Sequence, residues 1–291
     1  MTEENSRLLN EHIDILSLRD LAPGTIATYS SYMRAFIEWL EALSPSYPLS
    51  DIPWAVIRSW QAFLKEVKKL NGKTINVHSA QLHDFYIYVL HKDWDPRQVP
   101  KIQTIDKLPV VPGKAEVNSL IDSISNPKHK AEIALLYSSG IRVSELCRLH
   151  CEDINATNHY VSISASKNRC ERRAVLSDKA LAILKTYIRS SYQNAKRQDW
   201  LFPGKKEGEH ITTESVRRVF QKQMELLGLS DKGYTPHSLR HAFGLHLYDA
   251  GTDLIAIKEA MGHKSLSSTE VYLTLGIGNG RLVKSPYDLQ N

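Results

Sequence analysis

The chain has 291 residues and carries 37 Lys and Arg against 32 Asp and Glu, a formal charge of +5 with a pI near 8.9. Its length fits two domains, and a hydrophobic fraction of 42% with only 14 Gly and 12 Pro excludes a disordered or collagen-like chain. No apolar run approaches the roughly 20 residues of a membrane-spanning helix, and the acidic, polar first residues do not form a secretory signal. Three Cys do not make a disulfide scaffold, so we expect a cytoplasmic protein with free thiols.

The first hundred residues predict four helices. One is expected around residues 8–18, and three more apolar stripes at helical spacing follow: one after the Pro23-Gly24 turn, one around Trp60 and one around Leu82. We interpret Asn71-Gly72 as the end of the third helix, because glycine commonly follows a last helical turn. The aromatic and Ile/Leu stripes are most simply the core of a helical domain.

A linker follows this helical part. The segment Trp94–Pro112 contains four Pro and shows no clear periodicity, which is typical of a connection between domains. We therefore assign residues 1–105 to a helical domain, 106–113 to the linker and 114–291 to a second domain.

The second domain predicts a mixture of helices and strands. Tyr160–Ala165 alternates as a strand, and Arg173–Leu176 is its partner across a polar turn at 167–172. The predicted fold class is therefore mainly α with a small antiparallel β-sheet. Helices are expected over residues 114–124, 130–138, 178–189, 214–227 and 236–248, with shorter helices up to about 273.

The positive charge is concentrated in the second domain. Residues 1–105 carry 11 Lys and Arg against 12 Asp and Glu, whereas residues 106–291 carry 26 against 20. Such an excess permits nucleic-acid binding without demonstrating it.

Four places in the second domain hold polar residues that a plain helix does not need. Each alone has an ordinary explanation, such as a solvated Lys or a packed Tyr. Together, two Arg, two His and one Lys would converge donors on an anion, and guanidinium groups bind phosphate oxygens bidentately. A Tyr hydroxyl is then a possible nucleophile toward a phosphodiester, and the scarcity of nearby acidic residues argues against a two-metal nuclease. The residues are Arg142 with Glu145, Lys167, His237 with Arg240, and His263 with Tyr272.

The order and spacing of this set resemble the tyrosine site-specific recombinases, also called the phage integrase family. The flanking sequences are similar too, and the similarity spans nearly the whole chain. It implies an N-terminal four-helix core-binding (SAM-like) domain and a C-terminal mixed α/β catalytic domain. The matching segments are 139–146, 166–176, 235–243 and 262–265, with weaker similarity at 21–29 and 108–112.

The resemblance implies the chemistry of strand cleavage. Tyr272 would attack the scissile phosphate, form a 3′-phosphotyrosyl bond and free a 5′-hydroxyl, with no metal, ATP or other cofactor. Arg142 and Arg240 would hold the non-bridging oxygens, and Lys167 would protonate the leaving oxygen. His237 would assist proton transfer around the nucleophile, His263 would hydrogen-bond the phosphate, and Glu145 would orient the site.

The resemblance also implies the partners. The expected ligand is a double-stranded DNA recombination site, bound by four copies of the chain on two sites that pass through a Holliday junction, and the expected location is the nucleoid. A tail over 273–291 would follow the nucleophile, and Gly276, Gly278 and Gly280 are expected to weaken a helix there. Candidate phosphate contacts are Lys65, Lys68, Lys69, Lys73, Arg169, Arg172, Arg173, Arg217 and Arg218.

Several alternatives stay open at this point. The compact size favours a Xer-like recombinase, a transposon resolvase or a simple integrase, acting in integration, excision, inversion or resolution. A type IB topoisomerase shares the same residue types, and a DNA-binding accessory protein could keep the fold without exchanging strands. Cys147, His150 and Cys151 could bind zinc, but no clear fourth ligand accompanies them and Cys170 is distant, so we expect buried free cysteines.

Overall fold

The computed structural model describes residues 1–43, 47–105, 107–164, 172–263 and 265–278. Lys167, Arg169 and Cys170 lie outside the described residues. The chain divides into two compact units, Met1–Asp106 and Lys107–Asn291. None of the helices in the described ranges is both long and apolar enough to cross a membrane.

The described residues of the first unit form four helices, as predicted. Asn71 begins the last of them, because its side chain accepts a hydrogen bond from the Thr74 N–H. The interpretation of Asn71-Gly72 as a helix end is therefore wrong: Gly72 is the first residue of the next helix, and Lys69 makes the turn with a φ of 53°. The helices are α1 (Glu3–Leu18), α2 (Pro23–Glu41), α3 (Trp54–Glu66) and α4 (Gly72–Tyr88).

Aromatic side chains fill the core of this unit. Phe36, Trp60 and Phe85 are almost completely buried, and the rings of Phe36 and Trp60 meet edge to face at 5.6 Å. Burying a side chain of this size contributes about 1.5–3 kcal/mol. The predicted apolar stripes on these helices thus form the core.

A buried histidine lies among these rings. His78 stacks on Tyr32 with 4.0 Å between ring centroids, is 6% exposed, and leaves its Nδ1 without a hydrogen-bond partner. Burial lowers the pKa of His78 to about 4 from 6.5. The ring is therefore neutral at pH 7, and protonating it would place an unpaired charge in the core.

We expect the His78→Phe substitution to make the first unit less sensitive to acid. The folded-state pKa is about 4 and the ordinary value is 6.5, so between these values the unfolded chain binds more protons and the native chain loses stability as the pH falls. Phenylalanine should remove a loss of roughly 1–2 kcal/mol between pH 7 and pH 5. Urea titrations followed by tryptophan fluorescence at both pH values measure it. Equal losses in both proteins would contradict the assignment.

The second unit is built around α6, which is buried on most sides. The helix ends at Gly140, whose φ of 59° is left-handed, and an added Cβ there would lie 2.3 Å from Cδ1 of Phe243. Glycine thus fits both the backbone turn and the close approach of Phe243. The helices before the sheet are α5 (Lys114–Ser123), α6 (Pro127–Ser139) and α7 (Val143–Cys147).

A small antiparallel sheet follows α7. Its strands are β1 (Ile154–Asn155), β2 (Tyr160–Ile163) and β3 (Arg172–Val175), in the order β1-β2-β3. The hairpin of β2 and β3 was predicted, and its register places Val161 opposite Ala174, both buried. The two-residue strand β1 was not predicted, because it is too short to show an alternating pattern.

Five α-helices follow the sheet in the described part of the second unit. In contrast to the expectation from its glycines, α12 continues past Tyr272. Gly276 lies against the ring of Tyr248, where an added Cβ would be 2.4 Å from Cε1. The glycine therefore permits close packing of two helices, which outweighs its low helix propensity. The helices are α8 (Asp178–Ser191), α9 (Thr213–Leu226), α10 (Pro236–Asp249), α11 (Leu254–Met261) and α12 (Ser267–Gly278).

Candidate active site

Arg142 lies in the short connection between α6 and α7. It is the residue before α7, and Glu145 at the third position of that helix accepts its backbone N–H at 2.7 Å. The same carboxylate accepts from Nη1 of Arg142 at 2.9 Å. The Arg142 side chain is 43% exposed, so Glu145 holds the guanidinium while leaving part of it open to a ligand.

Arg240 has a different environment, on α10 in the interior. It is 3% exposed and donates to the carbonyl oxygens of Gly140 and Met261, the latter at 2.6 Å. These carbonyls belong to the C-terminal ends of α6 and α11, where backbone acceptors lack helical partners. Burial and the nearby Arg142 lower the pKa of Arg240 to about 10, so the guanidinium is still charged at pH 7.

His263 follows the C-terminal end of α11. Its Nδ1 lies 2.8 Å from Oγ1 of the buried Thr269, a contact that fixes the orientation of the ring. Burial, with Arg240 and Arg142 next in effect, lowers the pKa of His263 to about 4. The neutral ring lies close enough to both guanidinium groups to be electrostatically coupled to them.

Tyr272 is completely buried in α12. Its hydroxyl lies 3.4 Å from Nδ1 of His241, and its ring lies against Gly244. Burial raises the pKa of Tyr272 to about 12, and Arg240 opposes this shift. The hydroxyl is thus protonated at pH 7 and lies next to a neutral imidazole, whose pKa is lowered to about 4 mainly by burial.

Gly244 allows α10 and α12 to approach at Tyr272, and Gly244→Ala is expected to disturb the site. The added Cβ would lie 2.4 Å from Cζ and 2.8 Å from the hydroxyl oxygen. Overpacking costs about 1–3 kcal/mol, which exceeds the roughly 1 kcal/mol that Ala gains over Gly in a helix. We expect a lower melting temperature in calorimetry, because the Tyr272 ring must shift to make room for the added Cβ.

Gly24 provides the matched control for this substitution. It lies in α2, and nothing stands within 4 Å of a Cβ added there. Gly24→Ala is therefore expected to keep the melting temperature or raise it slightly. Equal melting temperatures for Gly244→Ala and the unmodified protein would contradict the predicted clash.

The structure brings together six residues that the family resemblance assigns to catalysis, and it adds His241. Arg142, Glu145, His237, Arg240, His263 and Tyr272 are electrostatically or sterically coupled in one region. His241 was noted in the sequence as part of a motif but had no role. Its spacing could have identified it, because residues 237, 241 and 244 share one face of α10.

Arg172 lies at this site rather than on an outer surface. Its Nη2 donates to Glu145 at 2.6 Å, and its side chain is 16% exposed. The guanidinium also lies against the α11–α12 turn, where a Cβ on Gly262 would be 2.2 Å from Nε of Arg172. The sequence analysis offered Arg172 only as a candidate phosphate contact, which stays a prediction, and it did not anticipate the pairing with Glu145.

Family comparisons give the context for this arrangement. The sequence model of the phage integrase family matches residues 113–276, more than half of the chain. The model of the phage integrase N-terminal SAM-like domain matches residues 8–96. The chain belongs to the phage integrase family. It is a tyrosine recombinase, and its function is site-specific DNA recombination.

Individual relatives agree with this membership. A putative integrase/recombinase y4eF of Sinorhizobium fredii is 36% identical over 234 residues, covering 80% of this recombinase and 91% of the relative. Tyrosine recombinase XerD of Yersinia pestis is 30% identical over 292 residues and covers 94% of each chain. These relatives match both units of the recombinase rather than one.

Solved structures share the fold. A lambda integrase dimer bound to a COC′ core site has a TM-score of 0.74 at 20% identity, covering 96% of the recombinase and 98% of that chain. A XerH recombinase in a post-cleavage complex with a palindromic difH substrate has a TM-score of 0.70 at 22% identity, covering 90% and 79%. The predicted combination of a helical SAM-like domain with a mixed catalytic domain is thus confirmed.

The other candidate phosphate contacts that fall within the described ranges are exposed, and they differ in their ion pairing. Lys65, Lys68, Lys69 and Lys73 are exposed around the end of α3 and the start of α4. Arg173 is exposed on β3 and lies over the Tyr160 ring at 4.7 Å. Arg217 and Arg218 both pair with Glu214, at 2.7 Å and 3.0 Å, so this pair presents less free charge than its sequence suggests.

Cys147 and Cys151 are the cysteines within the part of the chain that the structure describes, and both are free thiols. Cys147 is buried, whereas Cys151 is only half-buried, which corrects the expectation that both lie in the core. His150 is turned toward the carbonyl of Gln198, 2.7 Å from its Nδ1. Within the described ranges, no three His, Cys, Asp or Glu side chains are grouped so as to hold a metal ion.

Proposed function

We propose that the recombinase cleaves DNA with Tyr272 as its nucleophile and joins strands through a 3′-phosphotyrosyl intermediate. The hydroxyl oxygen would attack the scissile phosphorus, the bond to the 5′-oxygen would break, and the released strand would later attack the phosphotyrosine. Because the phosphotyrosyl bond retains the energy of the phosphodiester, rejoining requires no ATP. Metal is likewise not required where cationic side chains stabilise the phosphorane.

Arg142 and Arg240 would bind the non-bridging oxygens of the scissile phosphate. The half-exposed guanidinium of Arg142 and the buried one of Arg240 are both charged and are electrostatically coupled. His263, fixed by Thr269 at 2.8 Å, would donate a hydrogen bond to the same group. Donors held in place before the reaction stabilise developing charge most effectively.

Proton transfer would involve residues on both sides of the phosphate. His237, whose ring meets the His241 ring at 4.8 Å, would assist removal of the Tyr272 proton. Lys167 would give a proton to the leaving 5′-oxygen, a role that rests on the family resemblance alone. Glu145 would orient Arg142 through its hydrogen bonds.

Double-stranded DNA is the proposed partner. The DNA complexes of structurally similar recombinases support this partner, as do the four exposed lysines near the start of α4. We further propose a core-binding domain over 1–105, a linker over 106–113 and a catalytic domain over 114–291. By family resemblance, four subunits would assemble on two sites and exchange strands through a Holliday junction.

One observation carries the proposal most directly. Tyr272 lies within a group of cationic and imidazole side chains that arrive from α7, α10 and the turn after α11. A tyrosine kept only for packing would not need two arginines and three histidines nearby. This arrangement supports an active enzyme over a DNA-binding accessory protein.

A nicked suicide duplex tests the proposed function. Its sequence is taken from DNA flanking the gene, and the nick lets a short strand diffuse away after cleavage, which traps the covalent complex. We expect a denaturation-resistant adduct in the presence of EDTA, and peptide mapping should locate the modified residue at Tyr272. Tight binding without an adduct on any flanking duplex would contradict autonomous cleavage and favour the accessory function.

A further inference from the structure

We propose that Arg172 is a positioning residue for strand cleavage. Arg172 compensates the negative charge of Glu145, so that Glu145 can orient Arg142 while the positive charge of Arg142 remains available to the phosphate. This proposal rests on the proposed function of the site. The three side chains come from different elements, Arg172 from β3, Glu145 from α7 and Arg142 from the residue before α7.

The hydrogen bonds of Glu145 show why a second arginine is needed. Its Oε1 accepts from Nη1 of Arg142 at 2.9 Å, and its Oε2 accepts from Nη2 of Arg172 at 2.6 Å. Arg172 and Glu145 are each 16% exposed, whereas Arg142 is 43% exposed. The better-buried pair therefore satisfies the carboxylate, and the more open guanidinium remains available.

Charge balance gives the same conclusion. Arg142, Arg172 and Arg240 together with Glu145 carry a formal charge of +2. A phosphodiester carries one negative charge, and the phosphorane formed by nucleophilic attack carries two. Without Arg172 the cluster would be +1, which matches the ground state better than the transition state. Loss of Arg172 should therefore slow cleavage more than it weakens DNA binding.

The packing of Arg172 reaches a second part of the site. Its Nε and Cδ fill the place that a Cβ on Gly262 would occupy, at 2.2 Å and 2.4 Å from that position. Gly262 is in the left-handed region, with a φ of 63°, and directly precedes His263. One guanidinium thus supports both the carboxylate that orients Arg142 and the turn that carries His263.

The test measures cleavage and binding separately in Arg172→Gln. We expect the first-order rate of adduct formation at saturating suicide duplex to fall about 10²-fold, as when one preorganised donor is removed, while the Kd for DNA changes less than about threefold. Arg172→Lys retains the charge and should recover the rate to within about tenfold of the unmodified recombinase. Lys185→Ala, an exposed position on α8, removes the same charge outside the site and is the matched control.

A double-mutant cycle with Glu145→Gln tests the mechanism. If Arg172 acts by compensating Glu145, the double variant should cleave no more slowly than Arg172→Gln alone. The proposal would be overturned if the rate losses of the two single variants multiplied in the double variant. It would also be overturned if Arg172→Gln cleaved at a rate within threefold of the unmodified protein. If Arg172→Gln does not fold, Arg172→Lys decides the question by itself: a rate more than about tenfold below that of the unmodified recombinase would overturn the proposal. An unmodified protein that forms no adduct would refute the proposed function instead.

Discussion

Tyr272→Phe is expected to abolish covalent strand cleavage while leaving DNA binding and folding almost unchanged. The substitution removes one oxygen from a fully buried ring, and the hydrogen-bond contact of that hydroxyl among the described residues is with Nδ1 of His241 at 3.4 Å. Losing such a long contact should change stability by less than about 1 kcal/mol. Losing the nucleophile should reduce adduct formation by more than about 10⁴-fold, to background. Adduct formation on the suicide duplex and a binding titration measure the two effects.

Tyr137→Phe is the matched control for this prediction. Tyr137 lies on α6 in the same unit, and its hydroxyl also contacts a histidine, Nδ1 of His246 at 2.9 Å. Both variants lose a tyrosine hydroxyl beside an imidazole, but only one loses the proposed nucleophile. We expect Tyr137→Phe to form the adduct at the rate of the unmodified recombinase. If Tyr272→Phe still formed the adduct, another residue would have to be the nucleophile.

Arg240→Ala is expected to remove both activity and stability, whereas Arg142→Ala should remove activity alone. Deleting Arg240 leaves the carbonyls of Gly140 and Met261 without their donors. Each unsatisfied buried acceptor costs about 1–3 kcal/mol, so a total of about 2–6 kcal/mol is expected for the two. The Arg142 side chain is 43% exposed, and Glu145 would remain paired with Arg172 after Arg142 is removed. Loss of the Arg142 side chain should therefore cost less than about 1 kcal/mol of stability.

Both arginine variants should cleave DNA at least about 10³-fold more slowly, because each removes a proposed phosphate ligand. Calorimetric melting separates them: Arg240→Ala should lower the melting temperature by about 5–10 °C and Arg142→Ala by only a degree or two. Arg240→Lys keeps the positive charge, but a lysine ammonium lacks the forked guanidinium that reaches both carbonyls. We therefore expect an intermediate melting temperature. Equal melting temperatures for both alanine variants would show that Arg240 does not hold α6 and α11 together.

Helices and strands were predictable where the periodic pattern of apolar residues was long or repeated. The helical stripes around Trp60 and Leu82 and the alternation at Tyr160 predicted elements that the structure contains. Asn71-Gly72 was misread because both residues suit either end of a helix, and only the Thr74 N–H donated to Asn71 decides between them. Gly276 was misread because propensity does not reveal a partner, and here the partner is the Tyr248 ring.

The site was predictable as a set of residue types but not as an arrangement. Motif order grouped Arg142, Arg240 and Tyr272, yet nothing in the motifs distinguishes an arginine open to a ligand from one that bridges two helix ends. Arg172 was predicted only as a candidate phosphate contact, and its pairing with Glu145 was not predicted. Adjacent residues on a strand point to opposite faces, and only the partner Glu145 identifies the inner face.

Complete burial of Tyr272 has a kinetic consequence. No duplex phosphate can touch a hydroxyl with no exposed surface, so α12 or its neighbours must be displaced before attack. The free energy of that displacement adds to the chemical barrier, and each 1.4 kcal/mol reduces the rate tenfold unless DNA contacts offset it. With Tyr272 as the proposed nucleophile, we therefore expect the free recombinase to be latent toward phosphodiesters, including those of unrelated DNA. Discrimination between target and bulk DNA can thus operate on exposure of the nucleophile as well as on binding strength.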